Sequence, residues 1–447
     1  MSTILIKNGI IATGGGNNKV LYGHSLLIEG TKIKRIAPEG EFKDSYDKII
    51  DAHGKLIMPG FINAHMHFYS TMVRGYGGAE PSKDFVEVLK HLWWKLDKKL
   101  TIDDCYYSTI IPLLNGIRYG TTTYIDHHAS PGAATGSLDV IAKAVKEAGV
   151  RASLCYELSD RDGEKIAREG IEENINFIKR CKKENDDQLR ALFGLHASFT
   201  VTDKTMEEAA SAGKELGTGF HVHTAEAASD QEYNVKNFGM RVVERFNKYG
   251  ILGPKTICAH CVHINDKEMD LLAETGTNVV HNPQSNMNNA VGIADIIKMT
   301  EKGITVGLGT DAMTVNMMEE VRVALWAQHL KHDNPSVGFC EAFNALLVNN
   351  VKIASKYWDL GLGTLTEGGA ADVILIDYYA PTPLSDGTFL GHFGYGVSQS
   401  FVDTTICNGK VLMENKILKL NIDEEEIARK SKELTKKLWE RMEVSKV

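Results

Sequence analysis

The chain reads as an α/β protein, a (β/α)8 TIM-like barrel with a small β-sandwich satellite domain built from both chain termini. Three observations lead there. Between residues 58 and 363, short apolar runs alternate with helical patterns, the signature of a parallel sheet wrapped by helices. Eight such runs can be picked out, the number a closed barrel requires. Outside that region, both chain ends carry short strand-like segments with turn residues between them.

Residues 1–57 make the N-terminal part of the satellite. Segments 4–7, 25–29 and 32–37 are strand-like, broken by Gly14-Gly15-Gly16-Asn17-Asn18 and Glu29-Gly30-Thr31. The barrel spans 58–363, with candidate strands at 61–67, 121–127, 151–157, 191–196, 219–224, 256–260, 278–282 and 305–311. Amphipathic helices such as 138–148, 170–183, 203–216 and 267–275 fill the gaps. Residues 364–420 return to strands at 372–377 and 403–412, the second containing the tight turn Cys407-Asn408-Gly409-Lys410. They complete the sheet begun by the N-terminus. Residues 421–447 form a charged C-terminal helix whose acidic start, Glu424-Glu425-Glu426, suits the helix dipole.

Composition narrows the function. Over 447 residues, 43% are hydrophobic and 24% charged, as in ordinary soluble globular proteins. A formal charge of −8 with no offsetting basic block argues against nucleic acid as a partner. No apolar stretch approaches the roughly 18 residues of a membrane helix. The N-terminus lacks the basic start and apolar core of a signal peptide. No membrane partner and a cytoplasmic location are therefore expected. The seven cysteines are odd in number and scattered, which speaks against a disulfide framework. Cys258 and Cys261 lie in an apolar strand-like run where period two puts their sulfurs on opposite faces, so a redox or structural-zinc role is disfavoured.

Barrel active sites sit at the C-terminal strand ends. Strand one ends in His65-Met66-His67, and side chains at i and i+2 of a strand share a face. One rigid strand end therefore aims two imidazoles at one point. Strand four ends at His196, strand five in His221-Val222-His223-Thr224-Ala225-Glu226, strand six at His260, and strand eight in Gly309-Thr310-Asp311. Each has a plain alternative, as a wall residue or, for Asp311, a helix cap. Their coincidence at five strand ends favours a shared site. Three histidines and one carboxylate hold a divalent ion and leave a position for water. Such an ion lowers the pKa of that water toward neutrality. A second carboxylate is then needed to pass protons to a leaving amine, and Glu226 is placed for it. Asp311 can serve as both ligand and base.

The segments Met58-Pro59-Gly60-Phe61-Ile62-Asn63-Ala64-His65-Met66-His67, His223-Thr224-Ala225-Glu226 and Gly309-Thr310-Asp311 resemble the amidohydrolase superfamily, across essentially the whole chain. Within it, the chain is similar to the mononuclear aminohydrolase and chlorohydrolase branch that holds adenosylhomocysteine and methylthioadenosine deaminases and guanine deaminase. Overall similarity points further to an aminohydrolase group associated with selenium metabolism. The resemblance implies His65, His67, His223 and Asp311 as metal ligands and Glu226 as the acid/base. It implies His260 as the group that hydrogen-bonds the reacting water or Asp311, and His196 as the strand-four histidine that touches substrate. His221 is read as a packed barrel residue. Binuclear relatives carry a carboxylated lysine at the end of strand four; residues 190–196 contain no lysine, which implies one divalent metal ion. Zn2+ is the better choice, with Fe2+ or Mn2+ open.

Asp97 aligns with a glutamate that grips ribose hydroxyls in nucleoside-deaminating relatives, and is one methylene shorter. His127 and His128 receive no role. The implied activity is hydrolysis of a non-peptide C–N bond, deaminating a purine, pyrimidine or related small heterocycle with release of ammonia. The implied assembly is a homo-oligomer, dimer or tetramer. Alternatives are a chlorohydrolase or cyclic amide hydrolase of the same superfamily and, in another class, a non-catalytic metal-binding accessory protein.

Overall fold

The computed structural model describes residues 1–443, so the last four positions of the expected C-terminal helix, 444–447, lie outside the described residues. The apolar runs form parallel strands buried on both faces, the setting that continuous Val, Ile and Leu runs require. They are β1 (Phe61–Met66), β2 (Thr121–Asp126), β3 (Arg151–Leu154), β4 (Leu189–Ala191 and Phe193–Ala197), β5 (Phe220–Thr224), β6 (Ile257–His260), β7 (Asn278–His281) and β8 (Val306–Leu308). Sequential neighbours pair in parallel from β1 to β8. Strand β4 is broken at Leu192; its first piece pairs with β3 and its second with β5. The circle closes where the His65 carbonyl accepts from the Thr310 and Asp311 amides, at 2.9 and 3.0 Å. The expected eight-stranded barrel is present.

Several strands end earlier than the apolar pattern suggested. β3 stops at Leu154 rather than 157, and β8 at Leu308 rather than 311. The apolar run outlasts the ladder because the chain bends over the barrel mouth while still buried. Glu157 and Asp311 therefore stand on loops above the strand ends.

Helices between the strands start and stop at chemically legible points. Ile102–Arg118 begins with a capping box between Thr101 and Asp104, and Asp266–Glu274 with one between Asn265 and Glu268. Ser137–Ala148 ends at Gly149, whose φ of 77° is the left-handed conformation glycine adopts without penalty.

Two sheets lie outside the barrel. One runs Lys32–Pro38, His24–Glu29, Thr3–Lys7, Lys48–Asp51. The other has seven strands and joins the chain ends, because Leu56–Pro59 pairs antiparallel with Val373–Ile376. Ile4, Ile6, Leu26 and Ile28 of the first pack with Ile11, Ile57, Val373, Leu375 and Ile406 of the second in one buried cluster. A buried ion pair between Arg151 of β3 and Asp372 ties this sandwich to the barrel. Helix Glu424–Glu443 returns to the barrel mouth. Its Leu438 and Met442 pack with Tyr69, Met72 and Leu96, and Trp439 Nε1 donates to the Met72 carbonyl at 2.8 Å. Among the described residues, no helix is long and apolar enough to cross a membrane.

Candidate metal centre and pocket

At the C-terminal mouth of the barrel, His65 on β1 and His223 on β5 meet His67 just after β1 and Asp311 on the loop after β8. Asp311 Oδ1 lies 3.4 Å from His65 Nε2 and 3.0 Å from His67 Nε2. His67 Nε2 and His223 Nε2 face each other at 3.1 Å. Close approach of β8 to β1 makes this possible. A Cβ on Gly309 would sit 2.6 Å from the His65 carbonyl oxygen, so only glycine fits there. Non-glycine residues with left-handed φ cluster at the same place: Ala225 (46°), His260 (73°), Cys261 (53°) and Asp311 (50°). Such strain concentrates at functional sites.

Hydrogen bonds on the far side of each ring fix which nitrogen points inward. His67 Nδ1 donates to the His127 carbonyl, and His223 Nδ1 donates to the His196 carbonyl at 2.9 Å. The two Nε2 atoms then face each other; burial would lower His67, but the Asp311 carboxylate beside its Nε2 raises it to about 9, so a cation bound here would take the place of that proton. His65 Nε2 is buried without a hydrogen-bond partner. Burial pushes His65 down to about 3 and His223 well below the usual imidazole range, which keeps both rings neutral and able to ligate. Burial would raise the Asp311 carboxyl, but the imidazoles of His65 and His67 beside it hold it well below the usual carboxylate range. With the His67 proton released, three imidazoles and an ionised carboxylate fit a divalent cation, and the residues present match the donor set that such an ion takes. His65, His223, His260 and Asp311 also offer four ligand atoms within 4.8 Å of one another.

The remaining expected residues surround this cluster. Asn286 Nδ2 donates to His260 Nδ1 at 2.8 Å, so the His260 proton sits on Nε2, 3.5 Å from Glu226 Oε2. Glu226 is buried; burial and the charges of Asp311 and Asp230 push its carboxyl well above the usual range. Asn289 donates to its Oε1 at 3.3 Å. His196 and Asp97 line a pocket that opens onto the cluster, with Trp93, Trp94 and Phe199 as aromatic walls. Burial pushes Asp97 up to about 6 against the pull of Arg161, whose guanidinium holds one carboxylate oxygen.

Several residues of the site had no role in the sequence reading. His221 Nε2 hydrogen-bonds His65 Nδ1 at 2.8 Å, so it orients His65 as well as packing in the barrel. His127 contacts Glu157 Oε2 at 3.1 Å through Nδ1 and the His221 carbonyl at 3.0 Å through Nε2. Glu157 lines the cavity. Ser285 donates its hydroxyl to Asp311 Oδ2. His128 points elsewhere, to Ser130 Oγ at 2.9 Å. Reading strand three by the strand-end rule applied to the others would have found Glu157.

The amidohydrolase family profile matches residues 56–412. A 5-methylthioadenosine/S-adenosylhomocysteine deaminase of Caldanaerobacter subterraneus is 32% identical over 423 residues, covering 93% of this chain and 94% of that protein. A 5'-deoxyadenosine deaminase of Methanobrevibacter smithii is 33% identical, covering 98% and 99%. The crystal structure of an adenosine deaminase from Xanthomonas campestris, with bound zinc, superposes with a TM-score of 0.86 at 20% identity, covering 98% of each chain. That likeness bears on the fold.

Proposed function

The chain belongs to the amidohydrolase family, and from that premise we propose a metal-dependent aminohydrolase that adds water to an amidine-type carbon of a small heterocycle and releases ammonia. The observation that carries this reading is the facing pair His67 and His223 beside Asp311, with buried Glu226 in the same pocket, its carboxyl pushed well above the usual range by burial. In this reading His65, His67, His223 and Asp311 hold one divalent ion, Zn2+ by preference for a mixed nitrogen and oxygen donor set. Such an ion, when bound, acidifies a water and polarises the target carbon.

The protein's own groups do the rest. Asp311 accepts the proton of the attacking water, with the Ser285 hydroxyl fixing its other oxygen. Glu226, kept protonated by burial, donates to the ring nitrogen as the carbon–oxygen bond forms. His260 presents its Nε2 proton to the developing oxyanion. The proton held by Asp311 then passes to the amine and the hydroxyl proton returns to Glu226, so that the carbon–nitrogen bond breaks, ammonia leaves and a carbonyl remains. His196 and Asp97 contact the substrate, and the aromatic walls take its faces. A protonated donor suits loss of an amine, whereas chloride leaves without one. The substrate is a purine, pyrimidine or related heterocycle, as the names of the relatives suggest. The working assembly is a homo-oligomer; exposed Trp326 and Leu330, one helical turn apart, offer an apolar face for it.

Metal analysis of the purified protein, followed by an ammonia-release screen over purines, pyrimidines, pterins and their nucleosides, tests the reading. The expected result is one equivalent of metal and turnover of at least one class. Bound metal with no ammonia from any member would sink it.

A further inference from the structure

Glu157 has no part in the chemistry above, yet it is 6% exposed and lines the pocket. One of its oxygens is taken. His127 reaches Oε2 with Nδ1 at 3.1 Å, and its Nε2 faces the His221 carbonyl at 3.0 Å. Both ring nitrogens of His127 therefore face acceptors, so both act as donors, and Oε2 is fastened. The other oxygen, Oε1, has His196 Nε2 at 3.8 Å, beyond hydrogen-bond reach, and no bonded partner among the described residues. Asp97 repeats the pattern on the same pocket. Arg161 holds its Oδ2, while Oδ1 is buried and unpartnered in a residue only 1% exposed. Two carboxylates thus each present one fixed and one free oxygen to a single cavity. The Asp97 oxygen is buried without a donor, which is unfavourable, whereas the free Glu157 oxygen faces the pocket and is open to a donor on a ligand.

Position decides what Glu157 can read. One of its oxygens lies within 4.8 Å of the ligand nitrogens of His67 and His223, so the carboxylate borders the place where the reacting carbon must sit. A ring atom bonded to that carbon is the part of a substrate that reaches it. In 6-aminopurines and 4-aminopyrimidines, the one ring nitrogen beside the reacting carbon is taken by the proton donor Glu226, and the other neighbour is a carbon that offers Glu157 no N–H. In 2-amino-4-oxo rings the reacting carbon is guanidine-like. One neighbouring nitrogen bears a proton for Glu157, and the other has a lone pair for the proton donor Glu226.

We propose that Glu157 is a specificity residue that accepts a hydrogen bond from a ring N–H next to the reacting carbon, so that the pocket selects 2-amino-4-oxo heterocycles over 6-aminopurines and 4-aminopyrimidines. This rests on the aminohydrolase reading. Pairing with His127 and proximity to Arg161 keep Glu157 an acceptor: burial would raise its carboxyl, but His196, His127 and Arg161 together hold it well below the usual range. The free Asp97 oxygen takes a second donor farther along the same ring system.

The test compares ammonia release by the metal-loaded enzyme on guanine, isocytosine and pterin with that on adenine and cytosine. The readout is the ratio of kcat/KM between the two groups. The wild-type ratio is expected to favour the first group roughly 100-fold, since sites built around a substrate donor reject analogues lacking it. Glu157→Gln keeps the shape and loses the charge; it should cut the ratio about tenfold, and weaken calorimetric binding of isocytosine to the holoenzyme about tenfold. Glu157→Leu should cut it further, with metal content equal in all three proteins. If the leucine variant does not fold, the glutamine variant decides. An unchanged ratio and unchanged isocytosine binding in Glu157→Gln, or a wild type that prefers adenine and cytosine, overturns the proposal and leaves the aminohydrolase reading standing. Absence of ammonia from every heterocycle overturns both.

Discussion

His221 Nε2 meets His65 Nδ1 at 2.8 Å in the interior of the barrel. That bond turns the other His65 nitrogen toward Asp311, 3.4 Å away. Groups that orient a ligand from behind typically contribute 10- to 100-fold in metal affinity. His221→Ala is therefore expected to weaken metal binding by roughly that factor without removing a ligand. Competition against a chromogenic chelator measures it, with circular dichroism as the check on folding. Equal affinity in the two proteins would reduce His221 to packing.

Glu226 stands beside His260, and burial with the negative Asp311 and Asp230 nearby pushes its carboxyl well above the usual range. Glu226→Gln retains the hydrogen bond from Asn289 but cannot deliver a proton. The expected outcome is a fall in kcat of about 10²- to 10⁴-fold with metal content unchanged. Ammonia release alongside elemental analysis of the same sample separates the two. A variant that loses its metal instead would make Glu226 part of the metal-holding cluster.

The barrel was legible because each strand announces itself as an apolar run and the polar residues collect where those runs end. His65, His67, His223, His260 and Asp311 could be picked out by that rule alone. What stayed hidden depends on partners far along the chain. Asp97 and Arg161 are 64 positions apart, and nothing in either segment says that one neutralises the other. His221 shares the inward face of β5 with His223, so period two marks both; only its bond across the barrel to His65 gives it a task. Glu157 ends the apolar run 151–157 just as Asp311 ends 305–311, so the same rule reaches it; it lacked a role because its partner His127 comes from the end of the neighbouring strand. The satellite strands Ile10–Ala12, Val20–Leu21 and Ile417–Leu418 are too short to show any period.

Arg151 links the barrel to the sandwich. Its guanidinium pairs with the Asp372 carboxylate, and its Nη2 donates to Asn408 Oδ1 at 2.8 Å, while the Asn408 amide donates to Asp372 Oδ1 at 2.7 Å. Arg151 and Asp372 are both buried. Removing one partner strands the other charge in a dry interior, at a typical cost of about 3–5 kcal/mol. Asp372→Ala should therefore lower the stability of the whole fold by about that amount, seen as an earlier urea midpoint. A midpoint within error of the wild type would mean that water reaches Arg151 there.

Glu320, on helix Met317–Lys331, titrates away from its ordinary range for a reason that stability measurements can read. It is fully buried; its Oε1 accepts from the Gln284 amide at 3.0 Å and its Oε2 has no partner. Burial first, then the Asp311 and Glu319 charges, push its carboxyl from 4.5 up to about 8. Below pH 4.5 both folded and unfolded chains hold the proton. Between there and about 8 the folded state alone keeps it, so unfolding free energy falls as pH rises, and the loss is complete above that range. From pH 6 to pH 8 this one group should remove roughly 2–3 kcal/mol. Asp126 and Asp230, both raised to about 7, act in the same direction. Their contribution cancels when the wild type is compared with Glu320→Gln, which keeps the Gln284 contact and has no proton to lose. Urea unfolding at pH 6 and pH 8 should show the variant losing less stability than the wild type by that margin. Parallel losses would mean that Glu320 is ionised in the folded state across the whole range.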